Sequence, residues 1–212
     1  MTPPADDTPD LVQKARGGDE AALATLFSRF RDKLERTASF RLDHRLRGRL
    51  DISDVLQETF LDARQRLPHF AAKPEMSILG WLRAVLTQRI VDLHREHLGA
   101  QARDVNREVP LSLVATDATT RCLVGKLIAD QSSPSEAVQR AELAAQLSAA
   151  LEAMDPLDRE VIALRHFEEL SNGEAAEVLG LEISAASKRY VRALRRFRDV
   201  LAGIPGLGIG AA

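Results

Sequence analysis

Apolar side chains recur along this chain at intervals of three and four residues, the spacing that lines one side of an α-helix. Leu11, Ala15, Ala22, Leu26, Phe30 and Leu34 form the first series, and Gly17-Gly18 divides it into a short helix and a longer one. Ile52, Val55, Leu56, Phe60, Ala63 and Leu67 form the next. It begins after Asp51, a suitable N-cap, and Pro68 is expected to end it. Asp54, Gln57, Glu58 and Asp62 fall on the opposite face of that helix. Residues 69–77 read as a loop. Leu79, Leu82, Val85, Leu86, Ile90 and Leu93 predict a further helix, with Arg83, Arg89 and Arg95 pointing away from its apolar side. Sustained period-two alternation of β-branched residues is missing, so the chain reads as all-α. The helices before residue 98 suffice for a small bundle with its own core.

Residues 99–134 break the pattern and read as a long linker, with one short helix near 122–129. After it, helix starts are punctuated three times. Ser133-Pro134-Ser135-Glu136, Asp155-Pro156-Leu157-Asp158 and Ser171-Asn172-Gly173-Glu174 each place a capping side chain before an acidic third position. Gly180 suits the C′ position after the helix begun at Ser171. A last helix then runs from about Ile183 to Leu201, closed by Gly203. The expected organisation is two small helical domains, residues 1–98 and 135–203, joined by linker 99–134 and followed by a flexible tail, 204–212.

The final pair of helices has the spacing of a helix-turn-helix. Ala186, Tyr190, Leu194, Phe197 and Leu201 make the inner stripe of its second helix. Ser187, Lys188, Arg189, Arg192, Arg195, Arg196 and Arg198 occupy the other side. A cationic helix face so presented suits the major groove of DNA.

Charge is unevenly placed along the chain. The net charge is −2, yet residues 29–49 carry eight basic and three acidic side chains, and residues 151–180 carry eight acidic and two basic ones. Such a net charge implies weak binding of the free chain to duplex DNA. A single cysteine, Cys122, excludes a disulfide framework and a multi-cysteine zinc site, and fits a cytoplasmic location. His94 and His97 lack the glutamate of a metalloprotease motif. With no nucleophile–base pair, phosphate loop or metal cluster, no enzyme, catalytic residue, metal or cofactor is expected.

Residues 150–201, ALEAMDPLDREVIALRHFEELSNGEAAEVLGLEISAASKRYVRALRRFRDVL, closely resemble region four of sigma factors of the extracytoplasmic-function (ECF) group. Residues 51–70, DISDVLQETFLDARQRLPHF, resemble their region two, with the D-V-x-Q-E-x-F pattern at Asp54, Val55, Gln57, Glu58 and Phe60. Trp81-Leu82 and Asp92 also match, and residues 11–30 resemble the opening helices. The resemblance implies a protein that binds core RNA polymerase, recognises two promoter elements and helps to open the duplex, with an anti-sigma protein as a further candidate partner; no membrane association is expected, since no apolar run approaches the eighteen or so residues of a membrane-spanning helix. Asp54, Gln57, Glu58 and Asp62 would then meet the polymerase. Ser187, Lys188, Val191 and Arg192, with Ser184 and Arg189 adjacent, would read the upstream element. Phe70, at the start of the loop, and Gln88 would contact the downstream one, while Trp81 reads as core. Ser187 stands where many relatives carry Arg or Lys, and Glu182 where many carry a Ser or Thr cap, so the preferred promoter sequence stays open. A rival reading is a dimeric helix-turn-helix regulator that acts without polymerase; the polar face of the 52–67 helix and the long linker argue against it.

Overall fold

The computed structural model of the chain describes residues 7–98, 111–129 and 137–205, and among these residues there is no strand. Helices α1 (Thr8–Arg16) and α2 (Glu20–Arg41) meet at Gly18, whose φ of 91° suits a residue without Cβ. The Asp19 carboxylate then caps α2 by accepting from the N–H groups of Ala21 (2.9 Å) and Ala22 (3.0 Å). After the single turn α3 (His44–Arg47), Asp51 caps α4 (Ile52–Gln65) through the Ser53 N–H at 2.8 Å. Pro68 does not end α4. It lies in the first turn of a separate short helix, α5 (Leu67–Ala71), where its missing N–H leaves no bond unmade, so the expected loop shrinks to residues 72–77. Helix α6 (Ile78–Leu98) completes the first unit. Leu23, Leu26, Leu34, Leu56, Leu82 and Leu86 are fully buried between α2, α4 and α6, each contributing about 1.5–3 kcal/mol over exposure.

Part of the expected linker is a long helix, α7 (Leu111–Ala129). It packs on α8 (Ala137–Glu152), α9 (Pro156–Ile162) and α2, burying Thr119, Thr120 and Leu123. The expected cap at Ser133 lies outside the described residues. Asp155 caps α9 through the Leu157 N–H at 2.8 Å. Arg159, buried, closes the end of α8 by donating to the carbonyls of Leu151, Glu152 and Met154. Beyond α9 the chain widens into a π-helical turn (Ala163–Phe167), with the Glu168 N–H reaching back to the Ala163 carbonyl at 2.9 Å. Helix α10 (Asn172–Leu179) opens with both halves of the Ser171/Glu174 capping box and ends at Gly180 in the left-handed conformation. Helix α11 (Ile183–Ala202) packs on α8, α9 and α10 and buries Ala186, Ala193, Phe197 and Leu201.

The two units are packed together. Phe40 of α2 stacks on Phe167 at 4.9 Å, and Leu79 of α6 is buried with Leu164, Leu170 and Ala175. Arg83, expected on an outward face, is buried here together with Arg41. Arg41 Nε donates to Glu168 Oε1 (2.8 Å) and Nη2 to Glu160 Oε1 (2.9 Å). Arg83 Nε donates to Glu168 Oε2 (2.7 Å) and Nη2 to Glu160 Oε1 (2.5 Å). Thr37 donates to Glu168 at 2.9 Å and Thr119 to Glu160 at 2.6 Å. Arg83 escapes the surface because these acceptors lie on the other unit, which no helical periodicity reveals. At the rim, Lys33 pairs with Glu174, and Arg36 with Glu169 at 3.5 Å.

Burial alone would push the Glu168 carboxyl up. The charges of Arg41 and Arg83, with hydrogen bonds from Arg83 and Thr37, outweigh it and hold the carboxyl at about 2. The Glu160 carboxyl is lowered by the same arginines against the same burial. Arg83 is raised, because Glu168 and Glu160 outweigh its desolvation.

Two outcomes follow from this packing. A folded-state carboxyl lowered from 4.5 stabilises the joined state above pH 4.5 and ceases to do so as the pH falls toward about 2. The radius of gyration from small-angle scattering should therefore begin to rise below about pH 4.5. Separately, a Cβ on Gly180 would meet no atom within 4 Å, but its φ of 64° strains any other residue. Gly180→Ala should cost about 1–2 kcal/mol in urea denaturation.

Candidate functional site

Three surfaces carry the residues singled out from the sequence. On α4, Asp54, Gln57 and Glu58 are exposed and Asp62 is half-buried. Glu58 Oε2 accepts from Arg89 Nε at 2.8 Å and from Arg89 Nη2 at 2.6 Å, so α6 steadies this side chain. Leu61, 47% exposed, shares the face. Beside it an open groove of about 460 Å³ runs between α2 and α4, lined by Phe27, Arg31, Leu56, Gln57, Phe60 and Leu61. The face therefore combines anions with apolar area. The sequence signal for the apolar part was Leu61, a leucine standing outside the inner stripe.

On α11, Ser184, Ser187, Lys188, Val191 and Arg192 are exposed along one side, opposite the buried Ala186, Ala193 and Phe197. The Asn172 amide donates to the Ile183 carbonyl at 3.0 Å and ties the start of α11 to α10. Arg189 turns away from this row. Its Nη1 donates to Asp158 Oδ1 (2.7 Å) and Asp155 Oδ1 (3.3 Å), and Arg196 Nη1 donates to Asp158 Oδ2 (2.6 Å). The cause is Asp158, which is buried on α9 and finds its hydrogen-bond donors in these two side chains. Both arginines thus tie α9 to α11; this corrects the expectation that Arg189 faces DNA, while the Arg196 side chain stays 60% exposed. Glu182 offers no side-chain cap to α11.

The third surface surrounds residues 72–77. Phe70 is fully buried and stacks on Trp81 with ring centroids 4.8 Å apart. The Arg16 guanidinium lies 4.1 Å from the Phe70 ring centroid. Phe70 is accordingly core, as Trp81 was expected to be, and its ring is not exposed to stack on a base. Arg16, which sequence reasoning passed over, organises the loop. It donates to the carbonyls of Phe70 (2.9 Å), Lys73 (3.0 Å), Pro74 (3.1 Å) and Met76 (2.8 Å). Its position just before Gly17-Gly18 was the only hint, since a carbonyl-binding arginine leaves no periodic trace. Gln88 is half-buried and donates to Asp92 Oδ1 at 3.1 Å, so its amide is engaged within α6. His94 Nε2 accepts from the Asp43 N–H at 3.2 Å, and burial pushes the ring's pKa down, which suits a neutral structural histidine.

Comparison with known proteins agrees with this layout. Residues 26–98 match the family model for sigma-70 region 2, and residues 144–197 match that for sigma-70 region 4. The ECF RNA polymerase sigma factor SigE of Mycolicibacterium smegmatis is 26% identical over 94% of this chain and 70% of its own length. The RNA polymerase sigma factor CnrH of Cupriavidus metallidurans is 28% identical over 93% of this chain and 96% of its own. The ECF sigma factor SigW of Bacillus subtilis is 23% identical over 90% and 94%. A solved structure of CnrH in complex with the cytosolic domain of CnrY covers 93% of this chain at 25% identity, with a TM-score of 0.47. With both regions present in order, and with relatives matched over nearly its full length, the chain belongs to the ECF family of RNA polymerase sigma factors.

Proposed function

We infer that the chain acts in transcription initiation through three divided tasks. As a sigma factor it binds core RNA polymerase and directs promoter recognition, a regulatory role without covalent chemistry of its own. The observation that carries the assignment of tasks is the exposed row on α11, held by a helix-turn-helix whose first helix is capped at both ends. In this reading Lys188 and Arg192, one helical turn apart, contact base edges of the upstream element, with Ser184, Ser187 and Val191 beside them. Arg198, exposed and further along, contacts phosphate. The polymerase takes the α4 face, where Asp54, Gln57 and Glu58 supply charge complementarity and Leu61 supplies apolar area. An anti-sigma protein belongs to the reading as a competitor for that face. Residues 1–98 and 135–203 serve as the two promoter-binding units. The loop at 72–77, with Gln88 nearby, belongs to the downstream element.

Co-elution of the purified chain with core polymerase, together with run-off transcription, tests the reading. A gel shift by the chain alone on a palindromic site would favour the rival regulator instead. Lys188→Ala or Arg192→Ala should cost about 1–3 kcal/mol at the preferred promoter and relax discrimination at one or two base pairs in a transcribed promoter library. Arg198→Ala should weaken all sequences about equally and reduce the salt dependence.

Two further outcomes concern the first unit. Reversing charge at Asp54 and Glu58 should lower polymerase pull-down while circular dichroism stays unchanged, since both side chains are exposed. Arg16→Ala should raise hydrogen exchange in residues 72–77 but not in α2, because four carbonyls lose their donor.

A further inference from the structure

The corner between α1 and α2 is rigid. The Gly17 N–H donates to the Gln13 carbonyl at 3.0 Å, and the Asp19 N–H to the Lys14 carbonyl at 3.1 Å. A Cβ on Gly17 would lie 3.2 Å from the Lys14 carbonyl oxygen, and Gly18 holds its positive φ of 91°. At the far end of α1, Asp7 pairs with Arg29 of α2. Arg16 therefore projects from a fixed backbone in the last turn of α1.

The two Nη atoms of Arg16 serve one loop. Nη1 donates to the carbonyls of Phe70 and Lys73, and Nη2 to those of Pro74 and Met76. The turns of the loop use two of the same acceptors. The Lys73 N–H donates to the Phe70 carbonyl at 3.1 Å, and the Met76 N–H to the Lys73 carbonyl at 3.2 Å. Beneath the guanidinium the Phe70 ring stacks on Trp81, so one column joins α1, α5 and α6 on either side of the loop. With these carbonyls drawn inward, the loop shows Lys73 and Glu75 to solvent. The geometry calls for an arginine. A guanidinium presents its donors as a planar fork, whereas a lysine ammonium has three N–H groups on one atom and cannot serve four separate carbonyls.

We propose that Arg16 is a positioning residue for the downstream promoter element: it fixes the backbone of residues 72–77, and through it the placement of Lys73 and Glu75 against DNA, without touching DNA itself. The proposal rests on the reading of this loop as belonging to that element. Base contacts discriminate only where donor and acceptor meet at hydrogen-bond distance, so a loop released from its anchor loses selectivity first. The positive charge of Arg16 adds sequence-independent attraction at most, and a lysine keeps that contribution.

The test transcribes a promoter library, varied in both elements, with core polymerase and the full chain. Arg16→Lys should reduce the ratio between best and worst base at the most selective downstream positions by about tenfold, the worth of a single base contact. Upstream preference should stay at the wild-type pattern, since α11 belongs to the second unit. Circular dichroism should also stay unchanged, since the leucine core of the first unit is untouched. Lys73→Ala and Glu75→Ala, both at exposed positions, should alter preference at the same downstream positions. If the loop variants do so while Arg16→Lys keeps wild-type selectivity, the proposal is overturned and the reading of the loop stands. Loop variants without effect overturn both. Selectivity lost equally in the two elements overturns the proposal, because it reports a general weakening. Should Arg16→Lys lose helicity, Arg16→Gln carries the same measurements. Loss of helicity in both variants makes Arg16 a residue of the fold alone and likewise overturns the proposal.

Discussion

Arg41, Arg83, Glu160 and Glu168 have to be satisfied together or not at all, and the joined form of the chain depends on that condition. Moving each charge out of water costs several kcal/mol, which only mutual pairing and complete hydrogen bonding repay. Glu168 meets the condition by accepting from Thr37, Arg41 and Arg83 at once. In the interior of one domain such a cluster could be broken only by unfolding. Here it lies between two apolar cores, the second of which takes in Phe40 from α2, so breaking it returns the four charges to solvent and also uncovers Phe40 and Leu79. The charged cluster makes the contact specific in geometry, while the Phe40–Phe167 stack and the buried Leu79 add apolar area beside it.

The same economy of charge extends over the rest of the molecule. The acidic face of α4 and the cationic row of α11 lie on opposite units, each backed by a buried stripe. Arg189 is drawn away from the α11 row by Asp158, which also pairs with the exposed Arg196. What remains exposed there is the row Ser184, Ser187, Lys188, Val191 and Arg192, with Arg195, Arg196 and Arg198 further along the helix. The small net charge of −2 is thus the sum of strongly charged surfaces, several of them neutralised internally.

Much of this was legible in the sequence, for identifiable reasons. The inner stripes of α4 and α11 obey the helical period because each helix packs on one side only. Asp51, Asp155, Ser171 and Gly180 act locally, so their caps could be read from a few residues. Pro68 was misread because the same proline stops one helix or starts another, and only the path of the chain decides which. Helix α7 hid inside the linker because its buried positions include Thr119 and Thr120 beside Leu123, so no unbroken apolar stripe marks a period. Phe70 suggested a base platform, but Trp81 stacks on it within the core. Arg16, Arg41 and Arg83 were illegible for a shared reason. A buried arginine is explained by acceptors distant in sequence, and its neighbours along the chain say nothing of them.

The π-helical turn after α9 has a consequence for how this chain compares with others. Its wider ring holds one residue more than an α-turn, and that residue sets the direction in which Glu168 leaves the helix. Without it, Glu168 would be displaced by roughly 100° about the axis, away from Arg41 and Arg83. The match between the two halves is therefore held in the length of a segment as much as in its composition. An alignment that slides a one-residue gap through residues 163–167 could keep every core leucine in place and still lose the joint. In relatives, the insertion or deletion pattern there would be as informative as the presence of the glutamate itself.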